Sequence, residues 1–221
     1  MSQKTKVAIC TPCFTGQMPS EMAGKMGVYL YKLGRNHPDL EIEWWIINRR
    51  FVHTARNEFV NAAQQLKMDY VWWVDDDCVI PTDVDLLPRL IAHDKDIVIT
   101  PYFMRGGDHV CGVLRCDGKL RVVEDYRNLT LSELNKGLIE VDGGGTHCML
   151  TKVSMYNTLP KPYFALPEFG GTEDMYMCLK ARQVGIQIYC DSDVEAGHIG
   201  YAPTITSEYC KAKELEHAAK S

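Results

Sequence analysis

The sequence lacks the segments that mark membrane, secreted or unstructured proteins. No stretch approaches 18 consecutive apolar residues, and the N-terminal segment before the first strand has no apolar region of the kind found in a secretory signal. Repeats, low-complexity tracts and Gly/Ser-rich linkers are also missing. These absences predict a soluble, cytoplasmic protein in which residues 1–221 form a single domain.

The sequence also lacks long runs of one charge sign. Its 24 Lys and Arg residues and 29 Asp and Glu residues give a net charge of −5. This balance argues against non-specific nucleic-acid binding as the main role, although it is compatible with a local basic groove. Hydrophobic residues make up 46% of the chain, which is enough for a sizeable core.

Cysteine, by contrast, is abundant: the chain has nine, an odd number. The cysteines are dispersed within apolar stretches, which predicts small buried thiols in a reducing compartment. Cys10 and Cys13 form a Cys-x-x-Cys pair, but no helix opens after it, as a thioredoxin-like motif requires. A structural zinc site would need a second close pair, and Cys111 and Cys116 are spaced too loosely. Both the redox and the zinc interpretations are therefore disfavoured.

The first half of the chain alternates strand and helix patterns. We predict strands over 6–11, 41–48, 70–74 and 96–101, and helices over 21–33, 55–67 (capped by Thr54) and 82–93 (starting at Thr82 and Asp83). Such alternation predicts an α/β fold with a mostly parallel central sheet covered by helices on both faces.

The second half has a different pattern. A hairpin over 109–123 is predicted around Cys116-Asp117-Gly118, which would form a small antiparallel sheet. A short helix at 131–136, a strand over 138–151 interrupted by three glycines, and a helix over 173–184 capped by Thr172 follow. A short strand at 187–190, a loop at 197–200 and a surface helix from Ser207 complete the chain.

The most informative motif is the apolar run Tyr70–Val74, which ends in Asp75, Asp76 and Asp77. The run predicts a buried strand, and ligands bind at the carboxyl ends of strands in open α/β sheets. Adjacent carboxylates repel, so a cation is expected beside them, and hard oxygen ligands favour Mg²⁺ or Mn²⁺. The alternative is a solvated acidic turn that caps the next helix.

Three further clusters carry polar groups suited to a binding or catalytic site. Glu173 and Asp174 fall in the first turn of a helix, where the helix dipole also favours acidic residues without any function. Arg56 and Asn57 fall at another helix start, where a phosphate or nucleotide could be held. His198 lies in a glycine-flanked loop, and a lone loop histidine is more often incidental than a ligand.

The order of these motifs resembles that of glycosyltransferases of the GT-A fold, particularly the family 2-like enzymes of compact, stand-alone type. The resemblance covers nearly the whole chain. It rests on segments 9–12, 55–57, 75–77, 144–150, 172–185 and 197–200. It implies a nucleotide-binding half over about 1–105, an acceptor and catalytic half over about 106–205, and a tail over about 206–221.

The resemblance also implies roles for individual residues. Asp174 is the expected catalytic base, with Glu173 supporting it or contacting the acceptor. The expected ligands of Mn²⁺ or Mg²⁺ are Asp77, Asp75 and His198, of which Asp75 could instead contact the ribose or a metal-bound water. The expected nucleotide-sugar contacts are Thr11, Pro12, Arg56, Asn57, Asp75, Asp76, Gly144 and Gly145.

The function implied is transfer of one sugar, with inversion, from a UDP-, GDP- or dTDP-sugar to an acceptor hydroxyl. The acceptor could be a glycan, a protein, a small molecule or a modified nucleobase, and compact members of this type occur in viral and phage genomes. A sugar-phosphate nucleotidyltransferase is one alternative, but residues 12–20 lack its usual Gly-rich, basic loop. A non-catalytic nucleotide-sugar-binding domain is another, against which the intact acidic and histidine residues argue.

Overall fold

The computed structural model describes residues 4–106, 109–117, 125–168, 170–200 and 205–218. The described strands are β1 (Thr5–Cys13), β2 (Leu40–Asn48), β3 (Tyr70–Val74), β4 (Cys78–Val79), β5 (Ile97–Ile99), β6 (Val113–Cys116), β7 (Tyr126–Asn128), β8 (Leu138–Val141), β9 (Gly143–Gly144), β10 (Cys148–Lys152), β11 (Ile188–Asp191) and β12 (Gly197–His198). The described α-helices are α1 (Ser20–Asn36), α2 (Val52–Gln65), α3 (Leu86–Ala92), α4 (Glu173–Gln183) and α5 (Ser207–Ala218).

A seven-stranded mixed sheet organises the fold, in the order β2-β1-β3-β10-β5-β11-β8. Five of these strands run in one direction, while β8 and β10 run in the other. The predicted α/β class with a mostly parallel sheet is thus confirmed. The antiparallel β10 lies in the middle of the sheet, where its amino end adjoins the carboxyl end of β3.

Helices cover both faces of the sheet, and β3 shows why. Successive side chains of a strand point to opposite faces, so Trp72 and Trp73 enter different cores. Trp72 packs with Tyr29 of α1, at 5.6 Å between ring centroids, in a core that also contains α3. Trp73 packs with Phe59 of α2, at 6.2 Å, in a core that also contains α4. A strand buried on both faces reads as a continuous apolar run, as Tyr70–Val74 does.

Two small antiparallel sheets complete the fold. The pair β4 and β12 aligns His198 with Cys78, directly after the aspartate triplet. The second has the order β7-β6-β9. Its β6–β7 pair gives the predicted antiparallel arrangement, but β7 lies beyond the predicted end of the hairpin at 123. The turn of that hairpin lies partly outside the described residues.

Several predicted boundaries need correction. Thr54 does not cap α2, because this helix begins at Val52 with Phe51 at its cap position. The helix predicted from Thr82 begins only at Leu86. Pro12 does not end β1, whose pairing with β2 continues through Cys13. Residues 131–136 contain a short 3₁₀ helix over Leu131–Glu133, with a capping box formed by Thr130 and Glu133.

The cysteines match their predicted character. All nine are free, and eight are buried. Cys10 and Cys13 both lie in β1, three positions apart, so their side chains point to opposite faces and cannot share a metal or a disulfide. Among the described helices, none is long and apolar enough to cross a membrane.

Candidate active site

The candidate site lies at the edge of the sheet where β1 and β3 end and β10 begins. The aspartate triplet leaves β3 here, and the backbone N–H of Asp75 donates to the carbonyl of His147 at 3.1 Å. That bond fixes the start of the triplet against the residue that precedes β10. The sequence predicts that the residues after β3 lie at this edge. The antiparallel β10 adds the residues that precede it, which the sequence does not predict.

A cleft of about 440 Å³ opens at this edge. Its described charged lining consists of five carboxylates and two guanidinium groups: Asp75, Asp76, Asp77, Glu173, Asp174, Arg56 and Arg105. The surplus of negative charge makes the cleft a favourable place for a cation.

A larger cavity, of about 580 Å³, lies between α5 and the segments around Cys111 and Leu129. Its described lining contains none of the predicted site residues. Cavity size alone does not identify a site, whereas convergent titratable groups with shifted pKa values do. We therefore place the candidate site in the acidic cleft.

Arg56 connects the acidic residues of the cleft. Its side chain, only 3% exposed, projects from α2 and pairs with Asp75 at 2.9 Å and with both Glu173 and Asp174. The Phe164 ring lies 5.9 Å from its guanidinium carbon. One buried cation thus holds carboxylates from β3 and α4 together.

The two ends of this network have opposite pKa shifts. Burial by itself would raise the pKa of Asp75, but Arg56 and His147 outweigh it and hold that pKa well below its usual range. Burial raises the pKa of Asp174 to about 6, and the Glu173 and Asp75 carboxylates add to this effect against the opposing charge of Arg56. Asp75 is therefore a permanent anion, while Asp174 can exchange a proton near neutral pH.

Asp174 is held from several sides. Thr172 caps α4 as predicted, its hydroxyl accepting a hydrogen bond from the backbone N–H of Met175, which sets Glu173 and Asp174 in the first turn. Buried Thr146 donates its hydroxyl proton to the Asp174 carboxylate at 2.8 Å. The Asp174 side chain is 15% exposed, so it combines a fixed position with access to the cleft.

A second cluster forms around Asp77. One ligand atom from each of Asp77, His147 and His198 lies within 4.8 Å of the others. Asp77 oxygens are 3.6 Å from Nδ1 of His147 and 3.4 Å from Nε2 of His198. Two of the three predicted metal ligands, Asp77 and His198, are therefore together. The third, Asp75, contacts Arg56 and lies 3.7 Å from His147.

Backbone carbonyls determine which histidine nitrogens face Asp77. Nε2 of His147 donates to the carbonyl of Gly197 at 3.0 Å, and Nδ1 of His198 donates to that of Phe103 at 2.8 Å. A carbonyl can only accept, so each of these nitrogens carries a proton, and in the neutral imidazole the opposite nitrogen faces Asp77 with its lone pair. Two lone pairs beside a carboxylate repel unless a proton or a metal ion lies between them. Consistently, Asp75 and Asp77 raise the pKa of His147 although its burial opposes this.

Comparison with known proteins identifies the architecture. No family model matches the chain, and a search of curated proteins gives no match. Among solved structures, A197 from STIV is similar, with a TM-score of 0.58 and 20% identity over 88% of this chain and 85% of the other. A structure of S. aureus TarS (residues 1–349) is also similar, with a TM-score of 0.50 and 14% identity over 86% of this chain. The chain has a GT-A-type fold.

A second TarS structure, in complex with UDP-GlcNAc, gives the same TM-score of 0.50 and 14% identity over 94% of this chain. The matches cover 59% and 61% of these two TarS chains, which span TarS residues 1–349, so this chain corresponds to about three fifths of that part of TarS. At these identities the likeness shows the fold and not the activity.

The remaining predicted residues occupy varied places in the GT-A framework. Pro12 and Asp76 line the cleft. Thr11 is buried, and its hydroxyl accepts from the Trp44 indole at 3.0 Å. Within the part of the chain that the structure describes, the Asn57 amide bonds to main-chain groups, among them the N–H groups of Tyr163 and Phe164. These contacts give Thr11 and Asn57 structural roles, and their contact with a nucleotide remains a prediction.

Gly144 and Gly145 pack against the protein itself. A Cβ on Gly145 would lie 2.0 Å from the Tyr102 hydroxyl, and one on Gly144 would lie 3.0 Å from the carbonyl of Gly112. The Tyr102 ring in turn stacks on His147 at 4.5 Å. Gly145 thus admits the tyrosine that supports a candidate ligand, and Gly144 admits the close approach of the Gly112 backbone. The contact of either glycine with a sugar remains a prediction.

Sequence reasoning missed His147 and Arg105. His147 falls in segment 144–150, on which the resemblance to GT-A glycosyltransferases partly rests, but its distance from Asp77 in sequence hides the pairing. The available signal was its position directly before a buried strand, at a glycine-rich break. Arg105 lies 3.0 Å from Asp77, and nothing in its sequence neighbourhood distinguishes it from a surface arginine.

Proposed function

We propose that the protein is a metal-dependent, inverting glycosyltransferase that moves one sugar from a nucleotide-sugar to an acceptor hydroxyl. One observation carries this proposal: Asp77, which forms a cluster with His147 and His198, lines the same cleft as the partly buried carboxylate Asp174, whose pKa is raised to about 6. A cation site and a separate proton acceptor are the two requirements of sugar transfer from a diphosphate.

The cluster residues fit a divalent metal. They offer one carboxylate and two imidazole nitrogens whose lone pairs face it, with the outer nitrogens fixed by backbone carbonyls. Mg²⁺ prefers oxygen ligands and water, so this donor set favours Mn²⁺ of the two ions expected from the sequence. When bound, such an ion would neutralise the charge of the leaving diphosphate as a Lewis acid.

Asp174 is the proposed general base. In the transfer the acceptor oxygen bonds to the anomeric carbon, while the bond from that carbon to the diphosphate oxygen breaks and its electron pair stays on the diphosphate. The acceptor's proton passes to Asp174. A single carboxylate in this role suits direct displacement with inversion. Thr146 and Arg56 position the base, and the pKa of about 6 leaves it ionised at neutral pH yet able to accept a proton.

The mouth of the cleft supports a planar ligand such as a nucleobase. Phe14, which lines the cleft, and Phe51 are both more than half exposed, and their rings stack at 6.0 Å between centroids. The His53 ring also stacks with Phe51, at 6.0 Å between centroids. Exposed aromatic faces at a cleft mouth are typical of sites that stack on rings.

A panel experiment tests the proposal. The protein would be mixed with UDP-, GDP- and dTDP-sugars, UDP-GlcNAc among them, with Mn²⁺ or with a chelator, and thermal unfolding and sugar release would be measured. We expect one nucleotide class to raise the melting temperature, and its sugar to be released slowly, only when Mn²⁺ is present. Absence of metal-dependent binding by every nucleotide in the panel would contradict the proposal.

A further inference from the structure

Arg105 is the cationic residue of the cleft that is open to solvent. Its side chain is 51% exposed, and its Nη2 lies 3.0 Å from an Asp77 oxygen. The other described guanidinium of the cleft, that of Arg56, is 3% exposed and contacts three carboxylates. Arg56 is thus fixed within the protein, whereas Arg105 has a long side chain and room to change partners.

The partner of Arg105 is the carboxylate at the centre of the candidate metal cluster. Asp77 is shared by His147, His198 and Arg105. An ion pair with a half-exposed arginine is weak, because water screens it and the side chain loses freedom in forming it. A divalent cation carries twice the charge of Arg105, and the two imidazoles would hold it as well, so it binds Asp77 more strongly than Arg105 does. The two cations therefore compete for the same oxygens.

The charge balance of the cleft determines what a displaced Arg105 would do. Five carboxylates face two guanidinium groups in the described lining, and a nucleoside diphosphate would add further negative charge. Arg56 is already surrounded by carboxylates, so Arg105 is the lining group available to pair with phosphate oxygens. A guanidinium can bind phosphate with two parallel hydrogen bonds. Arg105 can form them once it has released its carboxylate partner, Asp77.

We propose that Arg105 exchanges partners: it pairs with Asp77 while the cluster holds no metal, and it binds the donor diphosphate once a divalent cation occupies Asp77. The inference rests on the proposed function. It assigns Arg105 as a donor-binding residue that also keeps the empty site closed to weakly bound cations.

The exchange predicts opposite effects of one substitution on two ligands. In Arg105→Gln the competitor of the metal is gone, so Mn²⁺ alone should bind several-fold tighter than to the unmodified protein. The phosphate partner is gone as well, so UDP, GDP or dTDP, whichever stabilises the unmodified protein, should bind about tenfold weaker at saturating Mn²⁺, the loss of one charge-assisted pair. Arg105→Lys should bind the nucleotide with an affinity between those of the unmodified protein and Arg105→Gln.

Calorimetric titrations would measure both affinities, with Arg127→Gln as the matched control. Arg127 is 42% exposed and pairs with Asp117 and Glu133 away from the cleft, so its loss should change neither affinity. Unchanged or weaker Mn²⁺ binding in Arg105→Gln, or unchanged nucleotide binding, would overturn the exchange while leaving the proposed function intact. If the unmodified protein binds neither Mn²⁺ nor any of the nucleotides, both proposals are wrong.

Discussion

At the scale of single residues, a substitution of Asp174, the proposed base, should separate donor binding from sugar transfer. Asp174→Asn keeps the size and the hydrogen bond from Thr146 but cannot accept a proton. We expect nucleotide affinity within a few-fold of the unmodified protein and a rate of sugar transfer lower by about 10²–10⁴, the usual contribution of a positioned base. Calorimetry with the nucleoside diphosphate and a transfer assay would measure the two quantities.

The control for this substitution is Asp193→Asn, which makes the same change in an ion-paired aspartate outside the cleft. Asp193 pairs with Arg89 at 3.3 Å and is 40% exposed, so its transfer rate should match that of the unmodified protein. Retained transfer in Asp174→Asn, with donor binding lost, would show that this carboxylate holds the donor and that the base lies elsewhere.

The raised pKa of Asp174 predicts a pH dependence. The base works only when ionised, so at saturating Mn²⁺ kcat/KM should fall about tenfold per pH unit below about 6 and level off above about 7. The direction of this pH dependence follows from burial, which favours the neutral acid and so raises the pKa of Asp174. A pH–rate profile between pH 5 and 8 measures it, and the residual activity of Asp174→Asn should lack this inflection. An activity that rises as the pH falls would contradict the assignment.

At the scale of elements, Arg56 joins α2 to α4 and to the end of β3. Arg56→Met leaves three poorly solvated carboxylates without their cation, and we expect it to lower the free energy of unfolding by about 3 kcal/mol at pH 8. The deficit should shrink toward pH 5, because the carboxylates then protonate instead of remaining buried as anions. Urea denaturation at both pH values would measure the difference.

The control for that substitution lies just before the same helix. Arg50 is 61% exposed and pairs with Glu58 at 3.8 Å, so Arg50→Met should change the free energy of unfolding by less than about 0.5 kcal/mol. Equal effects of the two substitutions would mean that Arg56 does not hold the elements together.

The sequence predicts some elements well and others poorly, for physical reasons. Tyr70–Val74 was predicted with its observed limits, since a short apolar run bounded by charges has one interpretation. The start of α2 was misplaced because Thr54 is a good capping residue, yet the observed cap at Phe51 makes no side-chain hydrogen bond. Tertiary contacts of Arg56 and Ala55, both buried, outweigh that local preference.

The candidate site was predictable to the extent that its residues follow parallel strands or open helices. Asp77 and Asp174 belong to such positions, and they lie in the same cleft. His147 was missed because local sequence does not determine the order and direction of the strands in a sheet. Only the antiparallel pairing of Cys148 with Val74 brings the residue before β10 beside the residues after β3.

At the scale of the whole molecule, the candidate metal cluster joins distant parts of the chain. Its three residues, Asp77, His147 and His198, come from separate segments that only folding brings together. An ion that binds them therefore stabilises the folded state and not the unfolded one. With Mn²⁺ at about 100 times its Kd, we expect about 2.7 kcal/mol of added stability, or a melting temperature higher by roughly 5–10 °C. Mg²⁺ at the same concentration should give a smaller shift.

Differential scanning calorimetry with and without Mn²⁺ measures this shift. His198→Ala should lose most of it, whereas His37→Ala should keep it, because His37 pairs with Asp85 and is not part of the cluster. A shift that survives in His198→Ala would locate the ion somewhere else.

The reversed strand β10 has a consequence for how a 221-residue chain can build a complete site. In an all-parallel sheet, each segment that reaches the functional edge requires a strand, a helix and a return connection. A strand that runs the other way presents its leading residues to that edge directly, so the segment ending at His147 arrives without a further crossover helix. That segment, which joins two strands and carries no helix, is the part of the site whose length could vary with the least disturbance to the layers of the fold.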